Sequence, residues 1–241
     1  MTSAMMFEPP HVLDSNGGDK VKNFPIKISI YSSKANKSEL YQLRYRAFRD
    51  SGWIPENETG EFADRYDTLE STFTVGASHD GQCIGTLRLA FGGAGLPPGT
   101  MPCEEQFPEE VRKLDAHGPI RMTEFSRMAV DPAMTNTSFK TTLYATLVRA
   151  GFMLTAAAST NFALIAVHKK TSRFYQSMCG FKVLSESGSY AGIAEPTHFL
   201  GLEVRALDER RQSRKGFFAF TAEELVGARQ TLAAAQLRPV V

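Results

Sequence analysis

Three consecutive segments after residue 120 constrain the fold of this chain more than any other feature. A predicted strand, Met122–Val130, leads into a long segment of helical periodicity, Thr137–Ala158, and then into a short apolar strand, Phe162–Val167. A strand, a helix and a strand in this order are typical of an α/β protein, in which the helix carries the chain across one face of the sheet. Any functional residue on the first strand is therefore predicted to lie inside a sheet.

Further strand and helix patterns surround this unit. Alternating isoleucines predict a strand over Pro25–Tyr31, and Ser38 is the predicted N-cap of a helix from Glu39 to about Asp50. The turn signal His79-Asp80-Gly81 predicts a hairpin. The hairpin strands and the later elements are predicted at Thr72–Ala77, Gln82–Phe91, Thr171–Met178, Phe181–Ser185, His198–Leu207 and Glu223–Ala235. Together these patterns predict an α/β (α+β) fold with a mixed central sheet flanked by helices.

The domain organisation follows from where the patterns stop. Residues 1–22 carry little that could be buried and are predicted to form a mobile tail. Residues 23–241 show neither internal repeats nor a clear linker, which predicts a single domain. Residues 92–120 are rich in Gly and Pro, so they are predicted to be an irregular insertion, with one short helix around Glu104–Leu114.

Bulk properties exclude several classes of function. The formal net charge is +1, which gives no global case for nucleic-acid binding. The three cysteines are widely spaced and the five histidines are scattered, so neither a disulfide framework nor a metal site is predicted. This cysteine usage predicts a reducing cytoplasm. No apolar run approaches the roughly 18–20 residues of a membrane span.

The strand Arg121–Val130 carries Glu124 and Arg127 among apolar neighbours. Charges in a buried strand are costly unless they are paired or used. Strict alternation places Glu124 and Ser126 on one face and Arg127 on the other, so Glu124 and Arg127 share a pocket only if a β-bulge separates them. If the strand is regular, one of the two is structural. A buried glutamate with a raised pKa is a good general base for an amine, but Glu124 also fits a rim residue or an ion-pair partner.

Other charged residues interrupt apolar segments upstream. Arg44 and Phe48 share a helix face next to Trp53, an arrangement that fits either an anion-binding wall or a surface arginine packed on aromatic rings. Asp64 and Asp67 fit either a solvated loop or an electrostatic cluster with nearby arginines. A further arginine, Arg88, lies in an apolar strand and fits a structural ion pair as well as a site residue.

The segment after Val130 offers a candidate site for an anion. Asn136-Thr137-Ser138 forms a small polar loop at the start of a predicted helix, where backbone N–H groups are free to bind a phosphate. Downstream, Lys169, Lys170 and Arg173 form one basic cluster. A second basic cluster comprises Arg205, Arg210, Arg211, Arg214 and Lys215. Each cluster fits either a docking surface for an acidic partner or ordinary solvated surface.

Four sequence motifs occur in a fixed order along the first half of the chain. They are Arg44-x-x-x-Phe48 with Trp53, Glu61-x-x-Asp64-x-x-Asp67, Gly85-x-x-Arg88 and Glu124-x-Ser126-Arg127. In this order they resemble the acyl-homoserine-lactone (autoinducer) synthases, and more closely their relatives, the long-chain N-acyl amino acid synthases. Both groups share the GNAT (Gcn5-related N-acetyltransferase) fold. The motifs cover Arg44–Arg127, and the element order extends the resemblance to about Arg205.

The resemblance implies transfer of a long-chain acyl group from a thioester to the amine of an amino acid. The donor would be acyl-phosphopantetheine on acyl carrier protein, or acyl-CoA, with no tightly bound cofactor. Glu124 would be the candidate base, and the substrate would be bound by Arg44, Phe48, Trp53, Asp64, Asp67, Arg88, Ser126 and Arg127. Val130, Asn136, Thr137 and Ser138 would bind the donor. Because Asn136-Thr137-Ser138 stands where GNAT enzymes that use acetyl-CoA have a glycine-rich loop, a carrier-protein donor is favoured.

Two alternatives remain open at this stage. One is an acyl-homoserine-lactone synthase, which requires S-adenosylmethionine and is distinguished by the mass of its product. The other is a non-catalytic module that binds acyl chains or acyl carrier protein. Tight binding of the carrier protein without turnover would identify this second alternative.

Overall fold

Eight strands form one mixed sheet in the computed structural model, which describes residues 2–6, 25–116, 118–186, 190, 193, 197–206, 219–234 and 237. The strands are β1 Thr2–Met6, β2 Lys27–Tyr31, β3 Thr72–His79, β4 Gln82–Gly93, β5 Arg121–Val130, β6 Phe162–His168, β7 Lys182–Ser185 and β8 Thr197–Glu203. Their order across the sheet is β1-β2-β3-β4-β5-β6-β8-β7. Neighbours are antiparallel except β5 and β6, which are parallel. The predicted mixed sheet is therefore confirmed.

Helices cover both faces of this sheet. They are α1 Ser38–Asp50, α2 Pro102–Gln106, α3 Pro108–Asp115, α4 Thr137–Ala157, α5 Lys169–Phe174 and α6 Ala222–Ala234. Helix α1 packs against β4 and β5, whereas α4 packs against β3, β4 and β5 and carries α6 on its outer side. The side chain of Phe125 on β5 points toward α4, where it approaches Gly151 closely. None of the described helices combines the length and apolarity that a membrane span requires.

Three details of the sequence prediction are corrected by the structure. Ser38 is the first residue of α1 rather than its cap, and its N–H is accepted by Asn36 Oδ1 at 3.1 Å. The insertion contains two short helices instead of one, because Pro108 starts a new helix. Residues Thr2–Met6 pair with β2, so the prediction of a mobile tail is wrong for these five residues. Pairing uses backbone groups alone, which side-chain composition does not report. The rest of the predicted tail, up to residue 22, lies outside the described residues.

The position of the candidate site is set by where β5 and β6 separate. Their pairing runs from Met122 opposite Phe162 to Phe125 opposite Ile165. Beyond that point β5 continues to Val130 against β4, while β6 continues against β8. The sheet therefore opens between its two parallel strands, and among the described residues the backbone edge of β5 after Phe125 faces a gap.

Candidate active site

A cavity of about 560 Å³ occupies the gap between β5 and β6. It extends from the α1 face of the sheet, through the opening, to the α4 face. On the α1 side its wall includes Phe48, Trp53, Ser126, Arg127, His168 and Tyr190. On the α4 side its wall includes Leu87, Phe125, Lys140, Thr141, Tyr144 and Tyr175. The α1 end is therefore lined by polar and aromatic groups, and the α4 end is largely apolar.

A β-bulge in β5 resolves the alternation conflict posed by the sequence. Thr86 on β4 is opposite Ala129, but Arg88, two residues later, is opposite Ser126, so β5 contains one extra residue. Within the bulge, Arg127 has a left-handed backbone with φ of 53°. The bulge turns the Arg127 side chain to the face of the sheet that also carries Glu124 and Ser126. The prediction that both charged residues share one face only through a bulge agrees with the structure.

We expect the bulge to reverse the usual preference between alanine and glycine at position 127. Both Arg127→Ala and Arg127→Gly remove the guanidinium, but only alanine keeps a Cβ in the left-handed conformation. Arg127→Gly is expected to be more stable by about 1 kcal/mol, since left-handed backbone costs an L-residue about that much. Urea unfolding of the two variants measures this difference directly. A more stable alanine variant, as in a regular strand, would contradict the bulge.

A buried ionic cluster lies under α1 and next to the cavity. Arg44 Nη1 donates to Asp67 Oδ1 at 2.7 Å. Arg88 Nη1 donates to Asp64 Oδ1 at 2.6 Å and to Asp67 Oδ2 at 3.1 Å. Arg127 Nη2 donates to Asp64 Oδ2 at 2.7 Å. The two aspartates therefore belong to one network with three arginines, and the interpretation of this segment as a solvated loop is wrong.

The local backbone fixes the two aspartates in place. Asp64 is the N-cap of a 3-10 turn, Arg65–Thr68, and Asp67 is its third residue. Asp64 Oδ1 accepts the Tyr66 N–H at 3.0 Å, and Asp67 Oδ2 accepts the Asp64 N–H at 3.1 Å. This is a reciprocal capping box, so the two carboxylates stabilise the turn in addition to binding the arginines. Across the sheet, Thr74, Arg88 and Ser126 form one row, and Arg88 Nε donates to Ser126 Oγ at 3.0 Å.

The pKa shifts in the cluster follow from burial and from the opposite charges. Burial by itself would raise the pKa of Asp64, but Arg88 and Arg127 outweigh it and lower that pKa to about 2. Burial is outweighed in the same way at Asp67, where Arg44 and Arg88 lower the pKa. Lys37 donates to the Asp67 backbone carbonyl at 2.5 Å, and burial lowers its pKa to about 8. Both aspartates are therefore ionised at neutral pH.

Glu124 lies beside this cluster and is completely buried. Its Oε2 accepts the backbone N–H of Cys103 at 2.8 Å, and its Oε1 accepts the hydroxyl of Tyr190 in a short hydrogen bond. Burial raises the pKa of Glu124, and hydrogen bonds from Tyr190 and from the backbone and thiol of Cys103, together with Arg88, oppose that rise. The interpretation of Glu124 as a rim residue is therefore wrong. Its role as a base stays a prediction.

The predicted aromatic residues form one wall of the cavity. The rings of Phe48 and Trp53 meet edge to face at 5.4 Å between centroids. On its other side Trp53 stacks on His168, at 6.3 Å and 12° between planes. Arg44 does not join this wall, because it is fully buried behind it and faces Asp67. The interpretation of Arg44 as a surface arginine is therefore wrong.

The predicted donor-binding residues divide into two groups. Val130 lines the cavity. Asn136, Thr137 and Ser138 are exposed at the start of α4, one turn before the cavity-lining Lys140. The side chain of Asn136 caps the helix by accepting the Phe139 N–H at 2.9 Å. These three residues are thus near the cavity mouth, and their contact with a donor stays a prediction.

Sequence reasoning missed Tyr190 and His168, both of which line the cavity. Tyr190 follows Ser187-Gly188-Ser189 and precedes Gly192, a stretch without strand or helix periodicity. A single large aromatic residue in such a stretch is a weak signal for a buried anchor. His168 ends an apolar strand and accepts the Lys170 N–H through Nδ1 at 3.1 Å. The position of His168 at the end of an apolar strand was the sequence signal that could have identified it as a site residue.

The mixed central sheet flanked by helices is a GNAT-like acyltransferase fold, as the motif order predicted. Three solved structures share it. FeeM, an N-acyl amino acid synthase from uncultured soil microbes, has a TM-score of 0.60 and 16% identity over 75% of this chain and 90% of that chain. The acyl-homoserine lactone synthase LasI has a TM-score of 0.56 and 19% identity over 74% of this chain and 89% of that chain. The CoA-dependent acyl-homoserine lactone synthase BjaI has a TM-score of 0.53 and 16% identity over 83% of this chain and 97% of that chain.

A family model described as N-acyl amino acid synthase FeeM matches residues 39–203. The chain belongs to this family and is an N-acyltransferase of the FeeM type. The predicted resemblance and the predicted enzyme class are confirmed. The alternative of a non-catalytic binding module is not supported. No curated protein resembles the chain closely enough in sequence to count as a match.

Proposed function

We propose that this enzyme transfers a long-chain acyl group from the thioester of acyl carrier protein to the amine of an amino acid. The family match over residues 39–203 carries this proposal, because it includes every motif from Arg44 to Arg127. The cavity supports it, since it joins a charged compartment to an apolar one through the opening in the sheet. Such a cavity suits a reaction between a polar acceptor and a lipid-like donor.

The donor is proposed to bind along the open edge of β5. Among the described residues no strand pairs with the β6 side of β5 beyond Phe125, and this edge suits the amides of an extended pantetheine arm. The apolar wall at the α4 end, formed by Leu87, Phe125, Tyr144 and Tyr175, suits an acyl chain. At the mouth, the exposed first turn of α4 and Lys140 suit the single phosphate of the arm.

The acceptor is proposed to bind at the α1 end through its carboxylate. Three guanidinium groups and the ammonium of Lys37 face the carboxylates of Asp64 and Asp67, and Glu124 beside the cluster adds a third carboxyl group. A surplus of buried positive charge favours an additional anion. Arg127 is the cluster member that lines the cavity together with Ser126. An amino-acid carboxylate near Arg127 would place its side chain on the wall of Phe48 and Trp53.

Acyl carrier protein is an acidic partner, and the basic residues of α5 suit its docking. Lys169, Lys170 and Arg173 are exposed, and Thr171 and Phe174 on the same helix line the cavity. A carrier protein docked there would insert its arm directly into the gap between β5 and β6. In the second basic cluster, Arg205 pairs with Glu203 at 2.5 Å. The other four residues of that cluster lie outside the described residues.

The test is turnover with defined donors and acceptors. Dodecanoyl carrier protein and dodecanoyl-CoA are each incubated with a mixture of amino acids, and free thiol and product mass are measured. The proposal expects one thiol for each N-acyl amino acid formed. A lactone product that requires S-adenosylmethionine would identify the acyl-homoserine lactone synthase instead. If neither donor releases free thiol, the result contradicts the proposed function.

Charge reversal on α5 is expected to affect the carrier-protein donor more than a donor that lacks the carrier protein. We expect the combined change Lys169→Glu, Lys170→Glu and Arg173→Glu to raise KM for dodecanoyl carrier protein at least about tenfold, because it replaces attraction by repulsion at the docking surface. KM for dodecanoyl pantetheine, which lacks the carrier protein, should change less than about threefold. The reversal of two exposed basic residues that do not line the cavity, Lys27→Glu and Lys34→Glu, serves as the control. An equal effect on both donors would contradict docking at α5.

A further inference from the structure

Glu124 has no direct contact with the cavity. Its side chain is fully buried, and each carboxylate oxygen already accepts a hydrogen bond, one from Cys103 and one from Tyr190. Glu124 is absent from the residues that form the cavity wall. A general base must lie within hydrogen-bond reach of the proton that it removes, directly or through one intermediary. If Glu124 receives a proton from the acceptor, another group has to carry it.

Tyr190 has the position required of such a group. It lines the cavity, and its hydroxyl donates to Glu124 Oε1. Its ring is buried in an apolar cluster with Leu164 and Phe199, and the guanidinium of Arg127 lies 5.7 Å from the ring centre. Its backbone carbonyl accepts the Ile193 N–H at 2.9 Å. The phenol is therefore held between the buried carboxylate and the space where the acceptor amine would lie.

We propose that Tyr190 is a catalytic residue that relays a proton between the acceptor amine and Glu124. This proposal rests on the proposed function and adds a residue that the family motifs of this chain do not contain. A phenol hydroxyl suits the task because it donates one hydrogen bond and accepts others. In the resting enzyme it donates to Glu124 and leaves an oxygen lone pair for an N–H of the acceptor.

The proposed step conserves protons and electrons. The unprotonated amine attacks the thioester carbonyl carbon, so the C–N bond forms and the π pair of the carbonyl moves to its oxygen. The nitrogen proton passes to the Tyr190 oxygen while the phenol proton passes to Glu124 Oε1. The oxygen pair then re-forms the carbonyl as the C–S bond breaks, and sulfur leaves with the electrons of that bond. The proton on Glu124 returns through Tyr190 to sulfur, so one proton moves from nitrogen to sulfur overall. No oxidant or metal ion takes part in these transfers.

The electrostatics of the pair agree with this direction of transfer. Burial, with Glu124 next to it, raises the pKa of Tyr190 well above its ordinary value. Burial raises the pKa of Glu124 as well. Tyr190 is therefore a neutral phenol before the reaction, and Glu124 is a stronger base than an exposed carboxylate. Arg88 and Arg127 face Tyr190 and favour negative charge that develops on its oxygen.

The experiment compares Tyr190→Phe with wild type and with Tyr31→Phe. Tyr190→Phe keeps the ring that packs beside Arg127 and removes only the hydroxyl, and Tyr31→Phe removes a hydroxyl on β2, away from the cavity. With dodecanoyl carrier protein as donor, Tyr190→Phe is expected to lower kcat at least about 100-fold, the usual effect of losing acid–base catalysis, with KM changed less than about threefold. Tyr31→Phe should match wild type.

A proton inventory in mixtures of light and heavy water distinguishes a relay from a structural role. Wild type should give a curved dependence of kcat on deuterium fraction, because two protons move together, and Tyr190→Phe a linear one. Turnover of Tyr190→Phe within about threefold of wild type would overturn the relay and leave the proposed function intact. Absence of wild-type turnover with every donor would instead overturn the proposed function, and the relay with it.

Discussion

Replacing Asp67 with asparagine is expected to lower the free energy of unfolding by about 3–5 kcal/mol, because it removes the charge that compensates two fully buried arginines. Asp67 is itself buried, and its two oxygens bind Arg44 and Arg88 at 2.7 and 3.1 Å. For a chain of this size that loss corresponds to a fall in Tm on the order of 10 °C. Thermal and urea unfolding of the variant measure it.

An exposed acid-to-amide change serves as the matched control. Glu70 pairs with Lys34 at 3.3 Å, and both side chains are mostly exposed, at 66% and 76%. Glu70→Gln is expected to cost no more than about 1 kcal/mol, the usual limit for a surface ion pair. If Asp67→Asn costs no more than Glu70→Gln, the buried cluster does not contribute to stability in this way. Adding Arg44→Met to Asp67→Asn should recover part of the loss, since it removes an unpaired charge.

The pH dependence of stability follows from the lowered pKa values of the two aspartates. A carboxylate whose pKa is lower in the folded state contributes stability that is present above its unfolded pKa and is lost as pH falls through its folded pKa. Asp64, with a folded pKa of about 2, and Asp67, whose pKa is also lowered, both act in this direction. Wild type is therefore expected to lose stability between about pH 4 and pH 2, and Asp67→Asn to lose less over that range.

The ionic cluster is not arranged for stability alone. Among the described residues, Arg44 Nε and Arg88 Nη2 are buried and make no hydrogen bond. Unsatisfied buried donors are costly, and a buried ion pair is often no more stable than an apolar replacement of similar volume. The cluster does position Arg127 at the cavity wall through Asp64. Its cost is therefore better explained by preorganisation of a binding surface than by fold stability.

The elements that the sequence predicted well are those with strong local periodicity. Seven of the eight strands and the long helix α4 were found within a few residues, because alternation and helical periodicity report directly on burial. The hairpin turn was found because Asp80-Gly81 supplies two residues of positive φ. The pairing of Thr2–Met6 with β2 was missed because it depends on a distant strand edge, which local sequence does not show.

The candidate site was predictable in its residue types and not in its contacts. Buried charges marked Arg88, Glu124 and Arg127, but only the observed β4–β5 register shows that a bulge brings the last two to one face. The contact of Tyr190 with Glu124 joins residues 66 positions apart. Periodicity has no information about such a pair. A sequence can therefore show that a charge needs a partner, whereas the fold decides which partner it has.

Glu124→Gln is expected to lower kcat by about two to four orders of magnitude, the range found for loss of acid–base catalysis. The amide has the same shape as the carboxylate, and its oxygen can still accept the Cys103 N–H, so the loss would come from basicity. KM for the acyl donor should change less than about threefold, because the donor is proposed to bind along β5 and at α4. An equal loss in kcat and in donor affinity would contradict a role as base.

The nearby change Glu104→Gln provides the control for removing a carboxylate from this region. Glu104 accepts the Met101 N–H at 2.9 Å within the capping box of α2, a position that glutamine fills equally well. Glu104→Gln is therefore expected to leave kcat within about threefold of wild type. A loss comparable to that of Glu124→Gln would show that both changes act by disturbing α2, which packs over the buried carboxylate.

The raised pKa of Glu124 has opposite consequences for activity and for stability. The base acts when ionised, so kcat should fall as pH falls through the raised pKa, and Glu124→Gln should lose this pH dependence. A carboxylic acid whose folded pKa is raised binds its proton more tightly in the folded state, so its contribution to stability declines as pH rises above the unfolded pKa. At pH 8 the Tm of Glu124→Gln should therefore be no lower than that of wild type. A variant both inactive and less stable at that pH would mark Glu124 as structural.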